Sequence, residues 1–375
     1  MFLQELPHAV QEMVPAVAPA PAVPWGKAAM AWIEQPHVKW AVPIPLLLAL
    51  TPLIWLFFRS TWRQLEEDAL VYRKRLHDLG QVDYRPMVAL ALGAVSLTLQ
   101  EYYGGRGTYD EIVRKWLTAR EAAHPGGWVK LVRFDELYAL TWWASTRIGG
   151  YLLPLVLWRA FFRKDSILDF GLRTRGFLEH AWIYAMFVAV MIPTMLIVAR
   201  QPDFGTYYPF YKSSTRSWAD FLTWEALYVG QFFALEIFFR GWWVRACRSF
   251  GAGAIMSMVV PYCMIHYGKP YLEACGAIVA GTVLGSLSMK TRSIYAGFLV
   301  HITVAILMDF LALHHRHALP TKLTPDGTRE FVFKWTPHVL WIVWVFALLM
   351  LLIKLVHSWP KIRAWMQQRR GAAPA

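Results

Sequence analysis

Ionisable side chains recur inside apolar runs between Trp224 and Asp309. Glu236 and Arg240 stand four residues apart in Ala234-Leu-Glu-Ile-Phe-Phe-Arg-Gly241, which is one helical turn and one face. His266 closes Tyr262-Cys-Met-Ile-His266 on the next apolar run, and Glu273 opens the one after. His301 lies in the middle of a fourth, Leu299-Val-His-Ile-Thr-Val-Ala305, and Asp309 follows on the same face. A charge at mid-bilayer costs at least about 2.5–3.5 kcal/mol. Several together are expected to face one another inside the protein, which makes them a candidate functional site. Singly, each has a plainer reading. Glu236 and Arg240 can be an intrahelical ion pair, the histidines can be hydrogen-bonded core residues, and Glu273 can be a first-turn acid favoured by the helix dipole. Together, on four consecutive helices, they are what activation of water requires. A Glu in a low-dielectric site readily takes a proton as general base. A neutral imidazole can hold the same water or donate to a developing oxyanion. Glu225 shares the face of Glu236 but stands about 16 Å along the axis, too far to share one water.

The elements that must position these residues are membrane helices. Hydrophobic residues make up 57% of the 375 and charged residues 17%, with 20 Trp, 22 Phe and 16 Tyr. A soluble domain carries about 25% charged and about 45–50% apolar residues. Several apolar runs approach the roughly 20 residues that a spanning helix needs. The expected fold is all-α, a polytopic transmembrane helical bundle with about eight or nine spanning helices. The net charge of +13 comes from short loops between apolar runs, so it points to headgroup anchoring and not to nucleic acid. Cys247, Cys263 and Cys275 are too few and too scattered for a disulfide framework or a zinc site.

Along the chain, residues 1–36 read as a Pro/Ala-rich tail without the pattern of a cleaved signal peptide. Residues 37–217 read as an N-terminal transmembrane region with polar loops. Its spans run from Trp40 to Phe58, Met87 to Leu99, Leu137 to Phe162 and Phe177 to Ala199. Ser60 to Arg85 has a helical pattern suited to a membrane surface or a solvated connector. Gly104 to Phe134 reads as a polar loop with glycine and proline breakers. Residues 218–313 form the four-helix core, whose third helix carries Ala277, Gly281 and Gly285 at a spacing that allows close helix approach. Residues 314–375 supply a polar loop, a last span and a basic tail. The positive-inside rule puts the C-terminus in the cytoplasm and the N-terminus outside. The basic loops at Arg59–Arg85, Arg163–Arg175, Arg245–Arg248 and Lys290–Arg292 then lie inside.

The three motifs resemble those of the CPBP (CAAX prenyl endopeptidase and bacteriocin-processing, or Abi) family of intramembrane glutamic endopeptidases. That family carries a Glu-Glu-x-x-x-Arg motif, an aromatic-x-x-x-His motif and a His-x-x-x-Asn/Asp motif on successive helices. Leu235-Glu236-Ile-Phe-Phe-Arg240, Tyr262-Cys-Met-Ile-His266 and His301-Ile-Thr-Val-Ala305 resemble them in order. Two positions depart from the pattern. Leu235 stands where the family has its first Glu, and Ala305 stands where it has Asn or Asp. The resemblance therefore implies roles for Arg240, His266 and His301 and leaves the base open between Glu236 and Glu273. Asp309 is the candidate replacement for the partner missing at Ala305.

The reading that follows is an intramembrane endopeptidase hydrolysing a peptide bond of a membrane-tethered protein, whether prenylated, lipidated or C-terminally anchored. Glu236 or Glu273 with His266 would activate water, His301 would stabilise the oxyanion, and Arg240 would orient Glu236. No cofactor or metal is expected, because no His-Glu-x-x-His motif is present. The expected partners are membrane lipids and a membrane-anchored protein or peptide, with no nucleic acid. The expected location is the plasma membrane of a prokaryote, with several passes. Two other classes stay open: a non-catalytic scaffold or self-immunity protein on the same fold, and a proton-coupled transporter built on the buried acids and histidines.

Overall fold

Long apolar runs satisfy their own main-chain groups by coiling, and here they do so almost throughout. A computed structural model describes residues 32, 35–41, 43–174, 180–200, 204–269, 271–329 and 336–371. The tail expected over residues 1–36 lies almost entirely outside them. The main helices are α1 (Pro43–Asp78), α2 (Arg85–Tyr103), α3 (Lys115–Ala123), α4 (Leu131–Phe161) and α5 (Ala181–Val198). They are followed by α6 (Trp218–Glu236), α7 (Gly253–Met264), α8 (Tyr271–Thr291), α9 (Tyr295–His315) and α10 (Thr336–Gly371). The architecture is a helical bundle, as the composition predicts.

Among the described residues, three helical segments are long and apolar enough to cross a membrane. They lie within Pro36–Asp78, Ala274–Thr291 and Tyr295–His315. Trp182–Val198, Gly253–Met264 and Trp341–Val356 are apolar but shorter. Of the other expected spans, α4 carries Arg147 and α6 carries Asp220, Glu225 and Glu236, so neither reads as a simple lipid-facing rod.

The chain forms two compact units. The first comprises residues 1–174 and 226–298, the second 175–225 and 299–375. In the first unit, α1 does not stop at Arg59 but continues as one helix of 36 residues, about 54 Å long. Its charged half is tied to the rest of the first unit. Trp62 Nε1 donates to Ser286 Oγ at 2.9 Å, Glu66 Oε1 accepts from Ala252 N at 2.8 Å, and Arg73 Nη1 donates to Ser249 O at 2.5 Å. The expected loop at 104–134 is largely helical, from Arg106 to Ala123. Tyr109, Leu117 and Val129 give it a small core. Asp135 ties it down by accepting from Arg106 at 2.6 Å, Tyr109 at 2.9 Å and Arg114 at 3.0 Å. Helices α7 and α8 meet across the small-residue stripe. A Cβ at Gly281 would lie 3.1 Å from the Tyr262 ring, and one at Gly285 would lie 2.8 Å from Met258 Cε. Small residues at these positions let the neighbouring helix come close.

In the second unit, Ile192 and Met195 of α5 pack with Phe204, Tyr208 and the α9 residues Leu307 and Leu311. Trp344 of α10 donates to Ala189 O at 2.9 Å. The start of α6 is pinned by main-chain bonds from Trp218 N to Lys322 O and from Ala219 N to Leu323 O, both 3.0 Å. Asp220 receives Arg216, Ser217 and Tyr211.

Candidate functional site

Glu236 ends α6, and from Ile237 to Trp243 the same rod widens into a π-helix that is buried along its whole length. Such turns are rare and occur often at functional sites. Bulky neighbours hold this one in place. Phe238 packs against Trp242 with ring centroids 5.3 Å apart, Phe239 against Trp243 at 6.1 Å, and Tyr151 of α4 touches both phenylalanines. The altered turn also needs acceptors satisfied from outside. Arg240 O accepts from Ser288 Oγ at 3.0 Å and from Arg245 Nη1 at 2.7 Å, and Gly241 O accepts from Arg245 at 3.2 Å.

Glu236 Oε1 and Arg240 Nη1 lie 3.1 Å apart, and both side chains are fully buried. The Arg240 guanidinium sits 3.9 Å from the centroid of the Tyr262 ring. A buried cation over an aromatic face gains about 2 kcal/mol when desolvated. Tyr262 carries the chain to His266, just beyond the end of α7, and the two rings are 4.7 Å apart. His266 is 8% exposed, and its Nδ1 lies 2.7 Å from Tyr262 O. A carbonyl only accepts, so Nδ1 carries the proton. Acid, guanidinium, aromatic face and imidazole thus follow one another in a chain of contacts within the first unit.

Gly297 of α9 belongs to the same assembly. A Cβ there would stand 2.7 Å from Glu236 Oε2. Neither Gly297 nor the braces Arg245 and Ser288 was singled out by the sequence reading. Nothing in the spacing marks them, because their roles arise from the π turn.

The remaining candidates are described each within its own unit. His301 is half-buried on α9, four residues beyond Gly297, in the second unit. Asp309 is fully buried in that unit, where Oδ2 accepts from Trp224 Nε1 at 2.8 Å and Oδ1 from Phe210 N at 3.1 Å. It acts there as a brace between α9, α6 and the segment around Phe210. Glu225 is buried beside Trp224 in the same unit. Glu273 falls in the first turn of α8, and its side chain lies outside the described atoms. Leu235 and Ala305, at the two departures, are both buried.

Residues 217–307 match the family model for type II CAAX prenyl endopeptidase, Rce1-like. This part of the chain is similar to that family. No curated protein and no protein of solved structure shows a match to the chain. The resemblance read from the three motifs is borne out at the level of a CAAX-type protease family. The matched segment contains the π turn, the Glu236–Arg240 pair, Tyr262, His266, Gly297 and His301.

Proposed function

We propose that the chain is an intramembrane endopeptidase that cleaves a membrane-tethered protein by Glu/His-activated water. The observation that carries this reading is the buried set of Glu236, Arg240, Tyr262 and His266 inside an Rce1-like segment. In the proposed reaction Glu236 takes a proton from water, with His266 Nε2 holding the same molecule. The oxygen attacks the scissile carbonyl, and His301 donates to the tetrahedral oxyanion. Collapse returns a proton to the leaving amine. Arg240 keeps Glu236 ionised and oriented, and the Tyr262 face holds Arg240 in place. Asp309 acts from a distance, by fixing the helix that carries His301. Glu273 is the alternative base. The substrate classes are a prenylated, lipidated or C-terminally anchored protein.

A second reading, a non-catalytic scaffold on the same fold, is favoured by one observation. Leu235 fills the place of the first Glu, and Glu236 already has a buried cation 3.1 Å away. Purified protein and its Glu236→Gln and His266→Ala variants, incubated with prenylated and helix-anchored peptides, separate the two. Cleavage by wild type that both variants lose supports the peptidase. Folded wild type that cleaves none of these classes supports the scaffold.

A further inference from the structure

Away from the Glu236 site, the first unit contains a cavity of about 400 Å³. Its walls come from the charged half of α1, the start of α2, the turn after α4, the turn after the π-helix and the end of α8. Four cations and three carboxylates line it. Two of those acids are matched by arginines. Asp165 receives Arg85 Nη2 at 3.1 Å and Arg85 Nε at 3.2 Å, and Asp169 receives Arg173 Nη2 at 2.7 Å. That leaves three further cations in the wall, Lys164, Arg245 and Arg248, against one further acid, Asp68, so the lining carries a net positive charge.

Among the described residues, Arg245 donates to main-chain carbonyls, those of Arg240, Gly241 and Ser288. Arg248 lies 4.0 Å over the Tyr72 ring, a neutral partner. Lys164 and Arg248 are exposed at the cavity rim. The pocket is therefore positive, built and reachable, and it suits an oxygen-rich anion with more than one negative oxygen.

Its place in the fold selects the carrier of that anion. Apart from the stretch of α1, the walls are helix ends, the level at which a spanning helix meets headgroups. Phe161, Leu168 and Phe250, neighbours in the chain of Lys164, Asp169 and Gly251, are exposed apolar side chains beside it. The loops that converge here, at Arg85, Lys164 and Arg245–Arg248, are ones whose basic residues assign them to the cytoplasmic side, where the leaflet is anionic. We propose that this cavity binds the phosphate of an anionic phospholipid, with Lys164, Arg245 and Arg248 as its charge partners. The assignment is independent of the peptidase reading.

The test uses the full chain in a neutral detergent, titrated with short-chain phosphatidylglycerol, with phosphatidylcholine and, separately, with inorganic phosphate. Bound lipid is counted by native mass spectrometry, and stabilisation is followed by thermal unfolding. Each basic residue near the surface contributes about five-fold in affinity. Lys164→Ala/Arg248→Ala is expected to weaken phosphatidylglycerol roughly 25-fold and to unfold at the wild-type temperature when lipid-free. Asp68→Asn removes the remaining carboxylate and is expected to tighten binding about five-fold, a gain that a folding defect cannot imitate. Arg245 is left intact because it also braces the π turn. Equal binding of phosphatidylglycerol by wild type and both variants overturns the proposal. So does stabilisation by inorganic phosphate with no preference for phosphatidylglycerol over phosphatidylcholine, which would make this a free-phosphate site.

Discussion

Arg240 is the residue whose loss tests the site most directly. It is fully buried against an equally buried Glu236. Removing one member of such a pair leaves the other charge unmatched, at a cost of about 3–5 kcal/mol. Arg240→Ala is therefore expected to lower the unfolding temperature in detergent and to abolish cleavage, and wild-type stability would show that Glu236 does not depend on it. Gly297 offers a finer probe. An added methyl would press within 2.7 Å of Glu236 Oε2. Overpacking of this kind costs about 1–3 kcal/mol. Gly297→Ala should cut cleavage about tenfold or more, because the carboxylate must move. Gly276→Ala, where a Cβ meets nothing within 4 Å, should leave both activity and stability unchanged. If both variants behave alike, Gly297 has no part in positioning Glu236. At this scale the sequence was informative where a motif fixes spacing. Glu236, Arg240, Tyr262 and His266 are legible because helix periodicity alone puts them on faces that meet. Gly297, Ser288 and Arg245 were not legible, because a glycine reads as a spacer and a π turn has no pattern of its own.

Among the elements, the expected helices were read correctly where apolar runs were long, and their joints were misread. The break expected at Arg59 is absent because the half beyond it gains partners, from Trp62 against Ser286 Oγ to Arg73 against Ser249 O. The loop expected at 104–134 coils because Asp135 collects three donors from it, a long-range gain that local breakers do not reveal. A joint of the same type fixes the end of α4 to the start of α2. Asp165 accepts from Arg85 and, at 3.1 Å, from Trp158 Nε1. Burial alone would raise the Asp165 carboxyl, but the Arg85 and Trp158 bonds outweigh it and hold the group below the usual carboxylate range. A depressed folded-state value means that the stabilisation is complete above the unfolded value of about 3.9 and is lost as pH falls through the folded one. Charged hydrogen bonds contribute about 1.5–3 kcal/mol, and with a quarter of each side chain exposed the lower end applies. Asp165→Asn should therefore lower the unfolding temperature at neutral pH and flatten the fall in stability below pH of about 4. A variant with the same acid-side profile as wild type would mean that the joint carries no stability.

For the whole molecule, the question is which way it lies in the membrane. Helix α2, with 19 residues, is about 28 Å long, close to a hydrocarbon core of about 30 Å, and α4 returns along it in the first unit. The segment around Ala123 and the turn around Arg163 therefore lie at opposite ends of that pair. Large exposed apolar side chains, among them Leu48, Leu53 and Trp55 on α1 and Ile342, Leu352 and Val356 on α10, need a solvent other than water. Lys and Arg in short loops decide orientation, and the basic stretches at Arg163–Arg175, Arg245–Arg248 and Lys290–Arg292 are the ones expected in the cytoplasm. Cys247 and Cys263 are buried and Cys275 is partly so, which keeps background labelling low. Ala123→Cys and Arg163→Cys, both at exposed positions, can then be compared in intact cells with a membrane-impermeant maleimide. Ala123→Cys should be labelled from outside, and Arg163→Cys only after the membrane is opened. The reverse pattern would invert the molecule and move the basic cavity to the outer leaflet. Labelling of both from outside would mean that α2 and α4 do not cross the bilayer, and the bundle would then have to be reassigned to fewer spans.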